Sequence, residues 1–128
     1  MAQIKIYGLR DHLRPIKAPL SDVIHECIVE AFGLPRDKKF HRFFPIDAED
    51  FFFPADRSEK YTIIEISLFE GRTISAKKKL IRLLFLRLGE LGIAPEDLEI
   101  TLSETPRENW GIRGLPADEI ELNYTIEV

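Results

Sequence analysis

The clearest structural pattern in the chain lies in residues 62–103, which read TIIEISLFEGRTISAKKKLIRLLFLRLGELGIAPEDLEITLS. The beginning of this stretch alternates apolar and polar residues, as a half-buried strand does. Apolar residues then recur every three or four positions, which predicts a helix over residues 74–91 with Thr73 as its cap and Gly92 as its terminator. Residues 98–103 alternate again. The stretch therefore predicts a strand, a helix and a second strand in that order.

The first half of the chain repeats this order in a weaker form. Residues 4–7 alternate, and residues 40–44 predict a second strand. Between them, residues 20–31 carry an apolar stripe of helical period, and Gly33 ends the predicted helix. The helix ends resemble each other, because the Phe-Gly-Leu around Gly33 has a counterpart in the Leu-Gly-Ile of residues 91–93. This similarity indicates an internal duplication.

The duplication defines a fold class. A crossover from one strand through a helix to the next strand is right-handed and makes the two strands parallel. We therefore expect an α+β fold of duplicated β-α-β units, with a mixed four-stranded sheet, two helices on one face and short extra strands. Residues 1–128 are expected to form a single domain, with pseudo-repeats at about 1–46 and 60–106 and a carboxyl-terminal extension over 107–128.

The sheet face that two helices leave uncovered predicts an oligomer. Its candidate residues include Lys5, Glu65, Glu99 and Thr101, which are too mixed in polarity for the core of a monomer and too regular to stay exposed. Residues 122–128 also alternate like a strand, without an assignable partner in the same subunit. We therefore expect that subunits associate and bury this face between them.

Composition and charge exclude several classes of protein. The 18 basic and 22 acidic residues give a formal charge of −4, too small an imbalance to indicate a nucleic acid or membrane partner. No apolar run reaches the roughly 18 residues needed to span a bilayer, and the start lacks the apolar stretch of a signal peptide. Cys27 is the only cysteine, which excludes an internal disulfide and a thiolate pair for zinc. We expect a cytoplasmic protein without a metal site, whose mature chain begins at Met1 or Ala2.

Two loops interrupt the regular pattern. Residues 47–60 contain three adjacent aromatic residues, Phe51–Phe53, which we interpret as rings that fill a core edge or a subunit boundary rather than as a ligand-stacking group. Residues 104–118 surround the only tryptophan with prolines and glycines. This second loop combines charge, an amide and a flat apolar wall, as small-molecule pockets do. Its candidate binding residues are Arg107, Asn109, Trp110 and Arg113.

The strand-to-helix junction Phe69-Glu70-Gly71-Arg72-Thr73 and the segment Pro106-Arg107-Glu108-Asn109-Trp110-Gly111 resemble the tautomerase superfamily. The similarity is strongest to the long subunits related to malonate semialdehyde decarboxylase and to 4-oxalocrotonate tautomerase-like proteins, and it covers about residues 4–114. It implies a homotrimer of the tautomerase (MIF-like) fold with active sites at subunit boundaries. It also implies that an amino-terminal proline acts as acid or base on 2-keto acids beside carboxylate-binding arginines, without a metal or organic cofactor.

The chain departs from this family pattern at its catalytic position. The family proline follows the initiator methionine, and Ala2 stands there in this sequence. After removal of Met1, Ala2 would still present an α-amino group, whose ordinary pKa is roughly 7.7 to 8. Of the two arginines that follow the third strand in the decarboxylase, Arg72 matches the second, whereas the first is replaced by Glu70. Lys38 stands at the position of the decarboxylase aspartate, which speaks against decarboxylation.

Arg72 is a candidate ligand for a carboxylate on physical grounds as well. It immediately precedes the second predicted helix, so its guanidinium and the free N–H groups of the helix start could meet on one carboxylate. The alternative is a surface arginine paired with Glu70 or another acid.

Three hypotheses of function follow. In the first, the protein is a keto-enol isomerase of a small 2-keto or 2-hydroxyenoic acid, with the Ala2 amine as catalytic group and Arg72, Arg107, Trp110 and Arg113 around a small carboxylate ligand. In the second, the same trimer binds a carboxylate without turnover. In the third, the trimer is structural, and the loop around Phe52 is a surface for a partner.

Overall fold

A computed structural model gives the fold and describes residues 2–122 and 124–126. The main elements are β1 (Ala2–Leu9), α1 (Arg10–Phe32), β2 (His41–Ile46), β3 (Thr62–Phe69), α2 (Ile74–Glu90), β4 (Leu98–Thr105), β5 (Gly111–Ile112) and β6 (Leu115–Pro116). The order is strand, helix, strand in each half of the chain, which confirms the duplicated β-α-β arrangement of an α+β fold.

The four long strands form one mixed sheet in the order β2-β1-β3-β4. β1 is parallel to β2 and β3 is parallel to β4, as the crossover rule predicts. β1 and β3 meet in the centre as antiparallel neighbours, with Ala2 opposite Leu68 and Gly8 opposite Thr62. The amino-terminal end of each central strand therefore lies beside the carboxyl-terminal end of the other. The short strands β5 and β6 form a separate hairpin.

The two helices cover one face of this sheet, as predicted. Alternate residues of β1 and β3 enter the core on that face, together with the apolar stripes of α1 and α2. The largest of these fully buried side chains include Ile4, Ile6, Leu20, Ile24, Ile64, Ile66 and Leu80. On the other face, the Tyr7 hydroxyl donates a 2.7 Å hydrogen bond to Glu65, and the Tyr7 ring stacks on Phe44 at a centroid distance of 4.9 Å.

The predicted helix boundaries at the joints are confirmed. The Thr73 side chain accepts a 3.1 Å hydrogen bond from the Ala76 N–H and so caps α2. Gly33 ends α1 in the left-handed conformation with φ of 65°, which glycine adopts at low cost.

α1 begins earlier than its apolar stripe predicted. It starts at Arg10, immediately after β1, and contains Pro15 and Pro19. His12, which lies before the predicted stripe of residues 20–31, is therefore helical. The sequence hid this start because prolines and charged residues interrupt the apolar period there. Leu13 is the buried anchor of this part of α1, and a Cβ added at Gly8 would lie 3.0 Å from its Cγ.

The strand expected over residues 122–128 is wrong for the part of it that the structure describes. Leu122 and residues 124–126 form no strand, and Asn123, Glu127 and Val128 lie outside the described residues. The physical reason is that this segment packs on its own subunit. The carbonyl of Thr125 accepts a hydrogen bond from Arg72, and Ile126 lies against Gly71, where an added Cβ would be 3.0 Å from Ile126 Cγ2.

Candidate functional site

Ala2 begins β1 and lies almost entirely inside the subunit. Only 3% of its surface is exposed, and its backbone is paired with Leu68 near the end of β3. Position 2 is therefore held at a defined point, at the end of the sheet where the strand-to-helix junction of the second half begins. We call this end of the sheet the Arg72 end.

Arg72 is buried rather than a surface residue, with 7% of its surface exposed. Its Nη1 donates to the carbonyl of Phe32 at 2.8 Å and to that of Thr125 at 3.2 Å. The guanidinium also lies over the Phe32 ring at 4.5 Å and near the Tyr124 ring at 5.9 Å. Burial lowers the pKa of Arg72 to about 10, which still leaves the side chain charged at neutral pH. The expected alternative of a surface pair with Glu70 is thus wrong.

Arg107 and Trp110 surround Phe69, the last residue of β3. The Trp110 ring meets Phe69 edge-on at 4.8 Å, and the Arg107 guanidinium lies 5.9 Å from the same ring. Arg107 donates from Nε and Nη2 to the carbonyl of Ala117 at 3.1 and 2.7 Å, and from Nη2 to that of Ile120 at 2.8 Å. These hydrogen bonds of Arg107 therefore hold the carboxyl-terminal extension against the end of β3.

Arg113 lies apart from these residues in the turn of the β5–β6 hairpin. It has φ of 53°, and Gly114 after it has φ of 84°. Two successive residues with positive φ are typical of a tight type I′ hairpin turn. The Arg113 side chain is exposed, and within residues 2–122 and 124–126 it makes no hydrogen bond or ion pair.

The structure thus brings four of the five residues of the first hypothesis to the Arg72 end of the sheet. Ala2 reaches it through its pairing with Leu68, whereas Arg107 and Trp110 reach it through Phe69. Arg72 reaches it at the start of α2. Buried Arg72 and partly buried Arg107 contact backbone carbonyls and aromatic rings in this arrangement.

A cavity of about 540 Å³ lies at the other end of the sheet, which we call the cavity end. Leu9, Arg10 and His12 line it from the end of β1 and the start of α1, Ile46 from the end of β2, and Lys60 from the segment before β3. Sequence reasoning missed this cavity because its walls come from separate segments that carry no joint motif. The one available signal was Arg10, which follows β1 much as Arg72 follows β3.

His12 lines this cavity, and two consecutive hydrogen bonds hold its ring in place. Its Nε2 lies 2.8 Å from Thr62 Oγ1, and the Thr62 hydroxyl donates to the carbonyl of Lys60 at 2.8 Å. Because the hydroxyl has only one proton, its oxygen accepts from His12, which fixes the tautomer with a protonated Nε2. Burial and, secondly, the charge of Lys60 lower the pKa of His12, so the ring is neutral at neutral pH.

Other reactive groups offer little chemistry. Burial raises the pKa of the Cys27 thiol to about 11, which keeps it protonated and unreactive at neutral pH. Asp47, Glu49 and Asp50 bring carboxylate oxygens within 4.8 Å of one another, but all three are exposed, and Asp47 is paired with Arg10. Such a cluster alone does not define a metal site. Among the described residues, neither helix is long and apolar enough to cross a membrane.

The order of the elements and the pairing of the strands define an α+β protein of duplicated β-α-β architecture. A family model described as "Tautomerase enzyme" matches residues 38–113. The probable tautomerase YusQ of Bacillus subtilis (strain 168) is 30% identical over 108 residues, which cover 80% of this chain and 85% of that protein. The chain therefore belongs to the tautomerase family.

Further relatives agree with this assignment. The 2-hydroxymuconate tautomerase of Pseudomonas putida is 39% identical over 57 residues, which cover 44% of this chain and 90% of that protein. Among solved structures, FG41 malonate semialdehyde decarboxylase inhibited by 3-bromopropiolate superposes with a TM-score of 0.76 at 25% identity, covering 85% of this chain and 87% of that one. A fused 4-OT solved as a symmetric trimer gives a TM-score of 0.77 at 21% identity, with 91% and 96% coverage, and shows the shared fold.

Proposed function

We propose that the protein is a tautomerase that interconverts the keto and enol forms of a small 2-keto or 2-hydroxyenoic acid at the Arg72 end of the sheet, with the α-amine of Ala2 as the proton-transfer group. The observation that carries this proposal is the position of Ala2. Its pairing with Leu68 places the start of the chain beside the segment that leads to Arg72, and the family membership of the chain supports the same reading.

The proposed reaction moves one proton between carbon and oxygen. The amine of Ala2 removes a proton from the carbon next to the keto group and becomes an ammonium group. It then delivers this proton to the carbonyl oxygen, which gives the enol and restores the free amine. The reverse steps return the proton to carbon. An α-amine suits this work because its ordinary pKa of roughly 7.7 to 8 leaves a substantial unprotonated fraction near neutral pH. The reaction requires removal of Met1, since the nitrogen of Ala2 is otherwise an amide.

Arg72 would hold the substrate carboxylate, with Trp110 as an apolar wall and Arg107 and Arg113 as further cations. Nη1 of Arg72 now bonds two backbone carbonyls, and its hydrogen bond to Thr125 is the longer of the two. A charged carboxylate forms a stronger hydrogen bond than a neutral carbonyl. We therefore propose that the substrate carboxylate replaces Thr125 at Arg72 while Phe32 keeps its bond.

We further propose that the working unit is a homotrimer. The face of the sheet away from the helices carries the Tyr7–Glu65 hydrogen bond and the Tyr7–Phe44 stack on an otherwise open surface, and Phe44 is 38% exposed. Two fused 4-OT proteins that share the fold were solved as trimers. Light scattering at micromolar concentration measures the assembly directly, and a monomer mass would contradict it.

The decisive experiment replaces Ala2 by proline, whose side chain forms a ring with the backbone nitrogen. In Ala2→Pro with Met1 removed, the amine becomes more rigid, because the ring of proline fixes φ. The variant should tautomerise phenylenolpyruvate about 10²- to 10⁴-fold faster than the wild type, the range that a well-positioned general base contributes. Intact mass must show that Met1 is absent from both proteins, and light scattering must show the same assembly.

An Arg14→Ala variant in both backgrounds provides a control for general surface charge, because Arg14 is exposed in the first turns of α1, away from the Arg72 end. A folded Ala2→Pro trimer with no gain over buffer would show that the Arg72 end does not catalyse enolisation. Carboxylate binding without turnover would then replace the proposal.

A further inference from the structure

The internal duplication places two equivalent positions at opposite ends of the sheet. The strand register maps the start of β1 onto the start of β3, because Ala2 pairs with Leu68 and Gly8 pairs with Thr62. The Arg72 end consists of the start of β1 and the residues that follow β3. The cavity end consists of the start of β3 and the residues that follow β1. Leu9 is thus the counterpart of Phe69.

The two equivalent positions are covered to different extents. Phe69 is 1% exposed, because Trp110 and Ala117 of the carboxyl-terminal extension pack on it. Leu9, in contrast, is partly exposed. The loop that follows β2 passes beside it and leaves the cavity of about 540 Å³. A volume of this size is typical of sites for small molecules, which range from about 300 to 1,000 Å³.

We propose that the cavity at the cavity end binds a small monocarboxylate with an apolar body, at a site distinct from the one proposed for enolisation. Leu9, Pro15, Ile16 and Ile46 provide apolar walls for the body of the ligand. Arg10 provides the cation for its carboxylate.

The arrangement of charge decides the sign of the ligand. The half-buried polar side chains of the lining are Arg10 and His12, whereas its carboxylates, on Asp11, Asp47 and Glu59, belong to exposed residues. His12 is neutral, so the inner charge is that of the guanidinium. Nε of Arg10 is bound to Asp47 at 2.9 Å. Its Nη1 has no hydrogen-bond partner among residues 2–122 and 124–126.

Two further features favour an anion in the cavity. Lys60 also lines the cavity and adds a second cation to it. In addition, the first turn of α1 lines the cavity, and its cap residue Leu9 offers no side-chain hydrogen bond to the free N–H groups there. Both features add to the attraction that the guanidinium of Arg10 exerts on an anion. Arg10 remains the residue that binds the carboxylate directly.

The test uses 3-phenylpropanoate as the probe, with uncharged 3-phenylpropanamide and cationic 3-phenylpropylammonium as probes of the same shape. Binding to the full chain is followed by amide chemical shifts in two-dimensional NMR. The carboxylate should saturate shifts at residues 9–12, 46–48 and 59–60. The dissociation constant should rise at least about tenfold for the amide probe, since a charged hydrogen-bonded pair is lost.

Two variants locate the anion. Arg10→Met should weaken binding of the carboxylate about tenfold or more, whereas Arg14→Met should change it less than about twofold. Arg14 is the matched control, because it is exposed on the same helix and does not line the cavity. Ala48→Phe provides an independent block, since Ala48 is an exposed part of the lining and a ring there fills the cavity.

Several outcomes would overturn the proposal. Saturating shifts at residues 69–72 and 107–113 in place of the cavity residues would assign the probe to the Arg72 end. Equal affinity for the ammonium probe would remove the role of Arg10, and no saturation by about 10 mM would mean that the cavity is not a carboxylate site. The result is independent of catalysis at Ala2, since the Ala2→Pro experiment measures turnover and this one measures the location of bound probe.

Discussion

The two ends of the sheet are built from equivalent parts but differ in how their arginines are used. At the Arg72 end, the guanidinium is buried and bonded to the carbonyls of Phe32 and Thr125. At the cavity end, Arg10 is half exposed, pairs with exposed Asp47 and faces open space. The difference arises from the chain that follows each unit, because the extension after β4 covers its end of the sheet and the loop after β2 does not.

This contrast separates an arginine that must give up a backbone contact to bind a substrate from one with a donor nitrogen that makes no hydrogen bond among residues 2–122 and 124–126. A buried cation must be hydrogen-bonded, since desolvating it without partners is costly. Arg72 meets this need with carbonyls that lie 40 and 53 residues away in sequence, and it thereby joins the end of α1 to the carboxyl-terminal segment. A substrate at Arg72 competes with these contacts. A ligand at Nη1 of Arg10 can bind beside the contacts of Nε with Asp47 and of Nη2 with the Pro45 carbonyl.

The largest expected effect is on stability at the Arg72 end. Arg72→Met should reduce the free energy of unfolding by about 3 kcal/mol, because it leaves the carbonyls of Phe32 and Thr125 without their charged donor. Urea unfolding followed by circular dichroism measures the change.

The matched variant at the other end sets the scale for this loss. Arg10→Met should reduce the free energy of unfolding by at most about 1 kcal/mol, since exposed ion pairs contribute little. Equal losses in the two variants would show that the two arginines have similar structural roles and would break the comparison.

Much of the fold was predictable from sequence because it depends on local patterns. The helical period of residues 74–91, the cap at Thr73 and the alternation in β3 each follow from spacing along the chain, and the crossover rule gave the two parallel pairs. The start of α1 was not predictable in this way, because Pro15 and the polar residues around it obscure the period that Leu13 begins.

The candidate site was predictable in part. The residues that follow β3 and the loop around Trp110 were singled out by composition and by resemblance, and the structure places both at the Arg72 end. The contacts of Arg72 with Phe32 and Thr125 could not be read from the sequence, because they depend on where distant segments pack. The cavity beside Arg10 was missed for the same reason.

A second expected effect is a dependence of stability on pH that differs between the ends. Burial lowers the pKa of His41, which lies beside Ile4 near the Arg72 end, to about 4 from an ordinary value of 6.5. Lys39 and His25 lower it further, and Asp22 opposes them. An unfolded chain therefore takes up this proton first as the pH falls, and stability is lost between pH 6.5 and 4.

The His41 contribution should reach about 2 kcal/mol at pH 4, less than the full shift would give because the ring is partly exposed to solvent. Urea unfolding at pH 7, 6, 5 and 4 should show a weaker loss in His41→Gln than in the wild type. The pKa of His12 at the cavity end is lowered as well, and His12→Gln provides the comparison. A pH profile unchanged by His41→Gln would contradict the assignment of the loss to this buried ring.

The smallest expected effect concerns the two helix starts. α2 has a side-chain cap, in which Thr73 accepts from the Ala76 N–H at 3.1 Å, whereas α1 begins after Leu9 without one. Thr73→Ala should therefore cost about 1 kcal/mol of unfolding free energy, the usual value of such a cap. Ser75→Ala is the matched control, because Ser75 is exposed in the first turn of α2 and alanine favours the helix there. If the unfolding free energy of Thr73→Ala matches that of Ser75→Ala, the side-chain cap does not stabilise α2. The cap would then not contribute to the difference between the two ends of the sheet.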